Sequence, residues 1–214
     1  MIADNLKKVK SRIDSVEHDQ QVQLIAVSKA RSINEIQQAV DAGQMQFGEN
    51  HLQESLDKID SLEGKNLIWH FIGPIQSNKT ASIAEKFDWV HSIERYKIAK
   101  RLSDQRPPKL SQLNVLLQLN IDREKTKSGF FLEEIEEIIP EIQKLPNISL
   151  RGFMCIPNPD NSAESFTKMA KLISKYPDLN VLSMGMSADL ELAIEKGATF
   201  VRVGTDIFGE REYN

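Results

Sequence analysis

Asn114-Val115-Leu116-Leu117-Gln118-Leu119-Asn120-Ile121 is a nearly unbroken apolar run. A strand with one wet face would alternate apolar and polar residues, and this one does not. A run of this kind suits a strand buried on both faces, as in parallel sheets covered by helices. Similar runs lie on either side, at 22–27, 44–47, 67–72 and 89–93 before it, and at 148–156, 180–184 and 200–203 after it. Helical patterns separate them. Ser32 with Glu35 forms a capping box ahead of Ile33, Ile36 and Val40. Asn50 reads as the start of a helix carrying Leu52, Leu56 and Ile59. Further helices are expected at 78–86, 95–103, 132–143, 163–176 and 188–196, with Pro140 expected to kink or shorten its own.

Eight strands alternate with helices, and their ends fall about 25 residues apart. Eight such units close most simply into a (β/α)8 barrel, an α/β fold. An open doubly wound sheet is the alternative. The strand count favours the barrel, as does the lack of a Gly-x-Gly-x-x-Gly fingerprint after the first strand. Ile2, Leu6, Val9, Ile13 and Val16 fall on one helical stripe ahead of it. The expected organisation is one domain over 1–214, with a helix in 1–18 and the barrel in 22–209.

Composition narrows the class. The chain has 214 residues, 40% hydrophobic and 27% charged, with a net charge of −4. These values exclude a disordered chain and argue against a nucleic-acid groove built on bulk positive charge. The single cysteine, Cys155, rules out an intrachain disulfide and a cysteine-rich zinc site. No apolar run is long enough to cross a membrane, and the amphipathic start is not a signal peptide. A cytoplasmic, monomeric protein that binds neither nucleic acid nor membrane is expected.

In a barrel of this type chemistry sits at the C-terminal ends of the strands, and the unusual residues collect there. Lys29 follows Leu24-Ile25-Ala26-Val27; Gly48, Glu49 and Asn50 end the second strand. Ser183-Met184-Gly185-Met186-Ser187 ends the seventh, and Arg202, Gly204 and Thr205 close the eighth. The loops after strands seven and eight are where barrels often hold phosphate. Ser187 is also a good helix N-cap, and Gly204-Thr205 an ordinary turn. A lysine opposite a phosphate cradle suits an aldehyde that carries a phosphate, through a Schiff base formed once the amine loses its proton. Pyridoxal phosphate (PLP) and a phosphorylated sugar both fit. In Val201-Arg202-Val203, Arg202 points into the barrel if the valines face the helices. It would then meet a ring nitrogen, a phosphate oxygen or a barrel carboxylate. His70 reads as a hydrogen-bonded core histidine and Cys155 as a small buried hydrophobe. No metal-ligand pattern stands out.

Several stretches together resemble a known family. They are Ala26-Val27-Ser28-Lys29, Phe47-Gly48-Glu49-Asn50, Trp69 through Lys79, Lys127-Ser128-Gly129, Leu182 through Ser187, and Arg202 through Gly209. They are similar to the pyridoxal phosphate homeostasis proteins, single-domain relatives of the alanine racemase barrel. The resemblance implies a fold-type III PLP barrel whose Schiff-base lysine is Lys29. It implies that Asn50 and Met184 line the cofactor pocket, that Ser187, Gly204 and Thr205 hold the phosphate, and that Arg202 lies near the ring nitrogen or phosphate. Asp206 and His51 depart from the family's pattern. The implied role is upkeep of the cellular vitamin B6 cofactor, as a carrier or regulator with little turnover, with apo PLP-dependent enzymes as recipients. An arginine at the ring nitrogen restrains carbanion chemistry. None of Tyr96, Tyr176 and Tyr213 reads as a strand-end acid or base, and little length is left for a second domain. The rival class is an active enzyme, either an amino-acid racemase or a Schiff-base aldolase acting on a sugar phosphate.

Overall fold

Strand β5 (Leu113–Leu119) shows why its sequence is so apolar: it is covered on both sides. Leu116 points to the barrel axis, while Val115, Leu117 and Leu119 point to the surrounding helices. The computed structural model describes residues 1–210, so Tyr213 lies outside the described residues. The other strands are β1 (Gln23–Val27), β2 (Gln46–Glu49), β3 (Ile68–Phe71), β4 (Trp89–Ile93), β6 (Ile148–Cys155), β7 (Val181–Ser183) and β8 (Phe200–Val203). All pair in parallel, in chain order, and β8 returns to β1 with Leu24 opposite Val201 and Ile25 opposite Arg202. The sheet is therefore a closed barrel, which leaves no edge strand unpaired.

The helices are α1 (Ile2–Asp14), α2 (Ile33–Asp41), α3 (Leu52–Ser61), α4 (Thr80–Lys86), α5 (Tyr96–Gln105), α6 (Ile135–Gln143), α7 (Ser162–Ile173), α8 (Leu190–Glu195) and α9 (Thr205–Phe208). Two cores result. The larger lies between barrel and helices and contains Ile36, Phe47, Phe71, Ile83, Ile98, Phe153 and Phe166. The smaller fills the barrel axis with Ile25, Leu116, Met154, Val181 and Phe200, closed off by Trp89. Ile2, Leu6, Val9 and Ile13 bury the predicted stripe of α1, which packs against α2, α8 and α9 beside the junction of β8 with β1.

Some local expectations change. Ser32 caps α2 with the full reciprocal box. Asn50, by contrast, is not a cap, because α3 begins two residues later with His51 in the cap position. Nor does Ser187 cap α8, whose cap position is Asp189. Helix α6 runs through Pro140 to Gln143 and is not cut short. Strand β5 stops at Leu119, since Asn120 turns the chain. The Asn120 amide donates to the carbonyls of Glu124 (2.8 Å) and Lys127 (2.9 Å) and accepts from the Glu124 N–H (2.9 Å).

Candidate functional site

Alternation along β1 and β8 decides which side chains reach the barrel mouth. Ile25 lies in the axial core, so Val27 follows on the same side. Lys29 comes just past the strand end and is half-buried. Phe200 is also axial, while Val201 and Val203 lie in the outer core. Arg202 therefore points inward and is only 4% exposed. Its Nη1 donates to Ser183 Oγ at 2.7 Å and its Nη2 to the Cys155 carbonyl at 3.0 Å. Among the described residues Arg202 forms no salt bridge, so the barrel-carboxylate alternative is not realised. Burial lowers its pKa, yet an arginine starts so high that it keeps its charge. A buried cation with no salt bridge among the described residues thus stands at the inner face of the mouth, with the Asp189 carboxylate acting on it from a distance.

Below Arg202 a chain of hydrogen bonds descends the axis. Ser183 Oγ lies 2.8 Å from His91 Nδ1, His91 Nε2 lies 2.9 Å from His70 Nδ1, and His70 Nε2 lies 3.0 Å from Gln46 Oε1. Gln46 then donates through Nε2 to Gln23 Oε1. Burial holds the His70 pKa down at about 3. Burial, then the neighbouring His70 and Arg202, hold that of His91 well below the usual histidine range. Both rings are therefore neutral, and the protons are assigned from the ends. Gln46 Oε1 only accepts, so His70 donates to it through Nε2 and accepts at Nδ1. His91 then donates through Nε2 and accepts at Nδ1 from the Ser183 hydroxyl. Every donor points from mouth to floor, and bonds aligned in this way polarise one another. His70 stacks on Trp89 with ring centroids 5.8 Å apart, and His91 on Phe200 at 5.6 Å. His70 is the hydrogen-bonded core histidine expected, and Cys155 is buried with its pKa pushed up to about 12.

The remaining predicted residues are spread around the mouth. Asn50 is half-buried, and its Oδ1 is buried with no hydrogen-bond partner among the described residues. A Cβ on Gly73 would sit 2.1 Å from the Asn50 carbonyl, so only glycine lets the ends of β2 and β3 press together here. Asn50 lines a cavity of about 230 Å³ with Ile72, Gln118, Lys127, Ser128 and Ile156. Met184 is fully buried in the outer core, so it can offer a ligand at the mouth only its backbone. Ser187 is half-buried, Gly204 stands between β8 and α9, and the Thr205 side chain is exposed. Arg12 ties these loops together. It donates to the Ser187 carbonyl (2.9 Å), to Asp206 Oδ2 (2.6 Å) and to both oxygens of Glu191 (2.6 and 2.9 Å). This pairing gives Asp206, a departure from the family pattern, a structural partner.

Sequence reading placed Ser183 in a strand-end motif but gave no role to it, to His91 or to the Gln23–Gln46 end of the chain. The alternation of each strand contained the signal, since these polar residues sit at axial positions. What it lacked was which strands face one another across the barrel. Among the described residues no His, Cys, Asp or Glu group could hold a metal ion, and no helix is long and apolar enough to cross a membrane.

With the geometry in place, known proteins can be compared. The family described as alanine racemase, N-terminal domain, matches residues 1–212. The pyridoxal phosphate homeostasis protein of Escherichia coli K12 is 45% identical over 229 residues, covering 100% of this chain and 98% of that protein. Its counterpart in Pseudomonas aeruginosa PAO1 is 48% identical over 222 residues, covering 99% and 96%. The structure of PipY from Synechococcus elongatus PCC7942 with PLP bound superimposes with a TM-score of 0.85 at 34% identity, over 98% of this chain and 100% of that one. Alanine racemase from Corynebacterium glutamicum shares the fold alone, with a TM-score of 0.72 at 18% identity, over 99% of this chain and 61% of that one.

Proposed function

The chain belongs to the alanine racemase N-terminal domain family, and within it to the pyridoxal phosphate homeostasis proteins, and from that premise we propose that it binds PLP on Lys29 and helps maintain the supply of that cofactor. The observation that carries this reading is Arg202, buried inside the barrel without a salt bridge among the described residues, on the strand that pairs with the one leading to Lys29. The residues fit such a ligand on a second ground, the orphaned Asn50 Oδ1 at the mouth. When bound, PLP supplies an aldehyde for a lysine amine and an electron-drawing ring. Lys29 presents the amine. Ser187, Gly204 and Thr205 hold the phosphate, with Met184 contributing backbone beside them and Asn50 lining the pocket. Arg202 donates an N–H toward the ring nitrogen or the phosphate. At the ring nitrogen an arginine, which does not release its proton, would leave that nitrogen unprotonated and the ring a poor electron sink.

His70 and His91 are sealed below this site and engaged with each other. Neither reaches the mouth as an acid or base, which supports a carrier or regulator over an efficient racemase. In this reading one domain suffices, with α1 as an accessory to the barrel over 22–209, and the protein works as a cytoplasmic monomer. Its recipients are apo PLP-dependent enzymes.

The test is spectroscopic. Protein mixed with PLP gains a visible absorbance band, and borohydride fixes the adduct on Lys29, where mass spectrometry locates it. The Lys29→Ala variant loses the band and binds at least tenfold more weakly, about 1.4 kcal/mol. Unchanged binding by that variant overturns the reading.

A further inference from the structure

The backbone around Lys29 is held from outside the barrel. Ser28 and Glu49 point away from the axis, toward α3, and both are fully buried. Lys58 of α3 is buried beside them and directs its Nζ to Ser28 O (2.6 Å), to Glu49 Oε1 (2.8 Å) and to the Glu54 carboxylate. Three acceptors use all three ammonium protons. Glu54 Oε1 in turn accepts from the Ala30 N–H at 2.6 Å, and Ser28 Oγ donates to Glu49 Oε1 at 2.6 Å.

These contacts bracket one residue. The Ser28 carbonyl belongs to the peptide group before Lys29, and the Ala30 N–H to the peptide group after it. One turn of α3, the Glu54–Lys58 pair, holds both. Ala30 also adopts φ +58, a left-handed conformation that side chains other than glycine rarely take. The Arg31 N–H closes the turn around it by donating to the Ser28 carbonyl at 3.1 Å. With both flanking peptide groups fixed, the Lys29 Cα–Cβ direction is fixed as well.

We propose that Glu54 and Lys58 are positioning residues, which clamp the two peptide groups around Lys29 and aim its side chain into the barrel mouth. The inference rests on the reading of Lys29 as the residue that takes up PLP. Neither residue needs to touch the ligand. Their work is done before it arrives, by sparing Lys29 the search over backbone conformations that would otherwise slow capture.

Glu54 is the residue to vary, since its side chain is 32% exposed and its loss leaves no buried hole. Three measurements are compared: amide hydrogen exchange at Ala30 without ligand, the rate at which the absorbance band forms with PLP, and the yield of borohydride-fixed adduct on Lys29. Glu54→Ala speeds exchange at Ala30 and slows band formation about tenfold, while the melting temperature stays within about 3 °C of wild type. Glu54→Gln keeps an oxygen for the Ala30 N–H and restores exchange protection and most of the rate. A Glu54→Ala protein with fast exchange at Ala30 but the wild-type rate of capture overturns the positioning role. So does a Glu54→Gln protein as slow as Glu54→Ala. A wild-type protein with no adduct on Lys29 overturns the underlying reading, and with it this inference. That result comes from the wild type alone, so the two failures are told apart.

Discussion

Arg202 illustrates how one side chain commits several others. A buried guanidinium without a carboxylate needs neutral acceptors, and Ser183 Oγ and the Cys155 carbonyl provide two. Ser183 accepts from Arg202 with its proton turned to His91, which is possible only while both histidines are neutral. A pH dependence follows. His70 takes up a proton near pH 6.5 in the unfolded chain but only near 3 in the fold. Its contribution to stability is therefore fully present above pH 6.5, is lost as pH falls through that value, and stops changing below about pH 3. By pH 5 the loss is about 2 kcal/mol. Urea unfolding at pH 7.5 and pH 5.0 checks it, since the His70→Gln variant should lose about that much less between the two conditions than wild type. That His70 would be a bonded core histidine could be read from Trp69-His70-Phe71. Its partner could not, because His91 lies 21 residues on, in another strand, and is itself bonded to Ser183 a further 92 residues away.

At the scale of elements, α1 is more than a cover for the barrel. Its apolar stripe accounts for its burial, and that stripe was legible because a period of 3.6 needs no knowledge of neighbours. Arg12 on the same helix reaches both candidate phosphate loops at once, through Ser187 O and Asp206. Replacing it with alanine frees both loops. Arg12→Ala is expected to weaken PLP binding about threefold and, because the side chain is partly exposed, to cost only ~1 kcal/mol of stability. Absorbance titration with PLP and urea unfolding measure the two effects, and unchanged binding would separate α1 from the site. The boundaries of α3 and α8 teach the converse lesson. Asn50 and Ser187 are favourable cap residues, yet both sit ahead of their helices. Residue preference for a cap is worth about 1 kcal/mol, and the course of a loop dictated by the barrel overrides it.

The whole molecule closes on itself where β8 meets β1, and α1 packs beside that junction against α2, α8 and α9. Leu6 is 1% exposed in that packing. Leu6→Ala should cost about 3 kcal/mol and lower the melting temperature by ~8 °C. Thermal unfolding followed by circular dichroism would show this as one cooperative transition if helix and barrel form a single unit, and as two if they do not. By itself the sequence determined the eightfold strand–helix alternation, the parallel sheet, the buried face of α1 and the opposite facing of Arg202 and its two flanking valines. Each of these follows from periodicity and burial, which act over a few residues and are written locally. The tertiary structure alone decided that Arg202 has no salt bridge among the described residues, that two neutral histidines stand beneath it, that Met184 faces away from the mouth, and that Glu54 and Lys58 hold the peptides around Lys29. Those facts depend on which side chains meet across the barrel and between its layers. Barrel closure brings together residues from strands and helices far apart in the chain, and no local pattern records their distances.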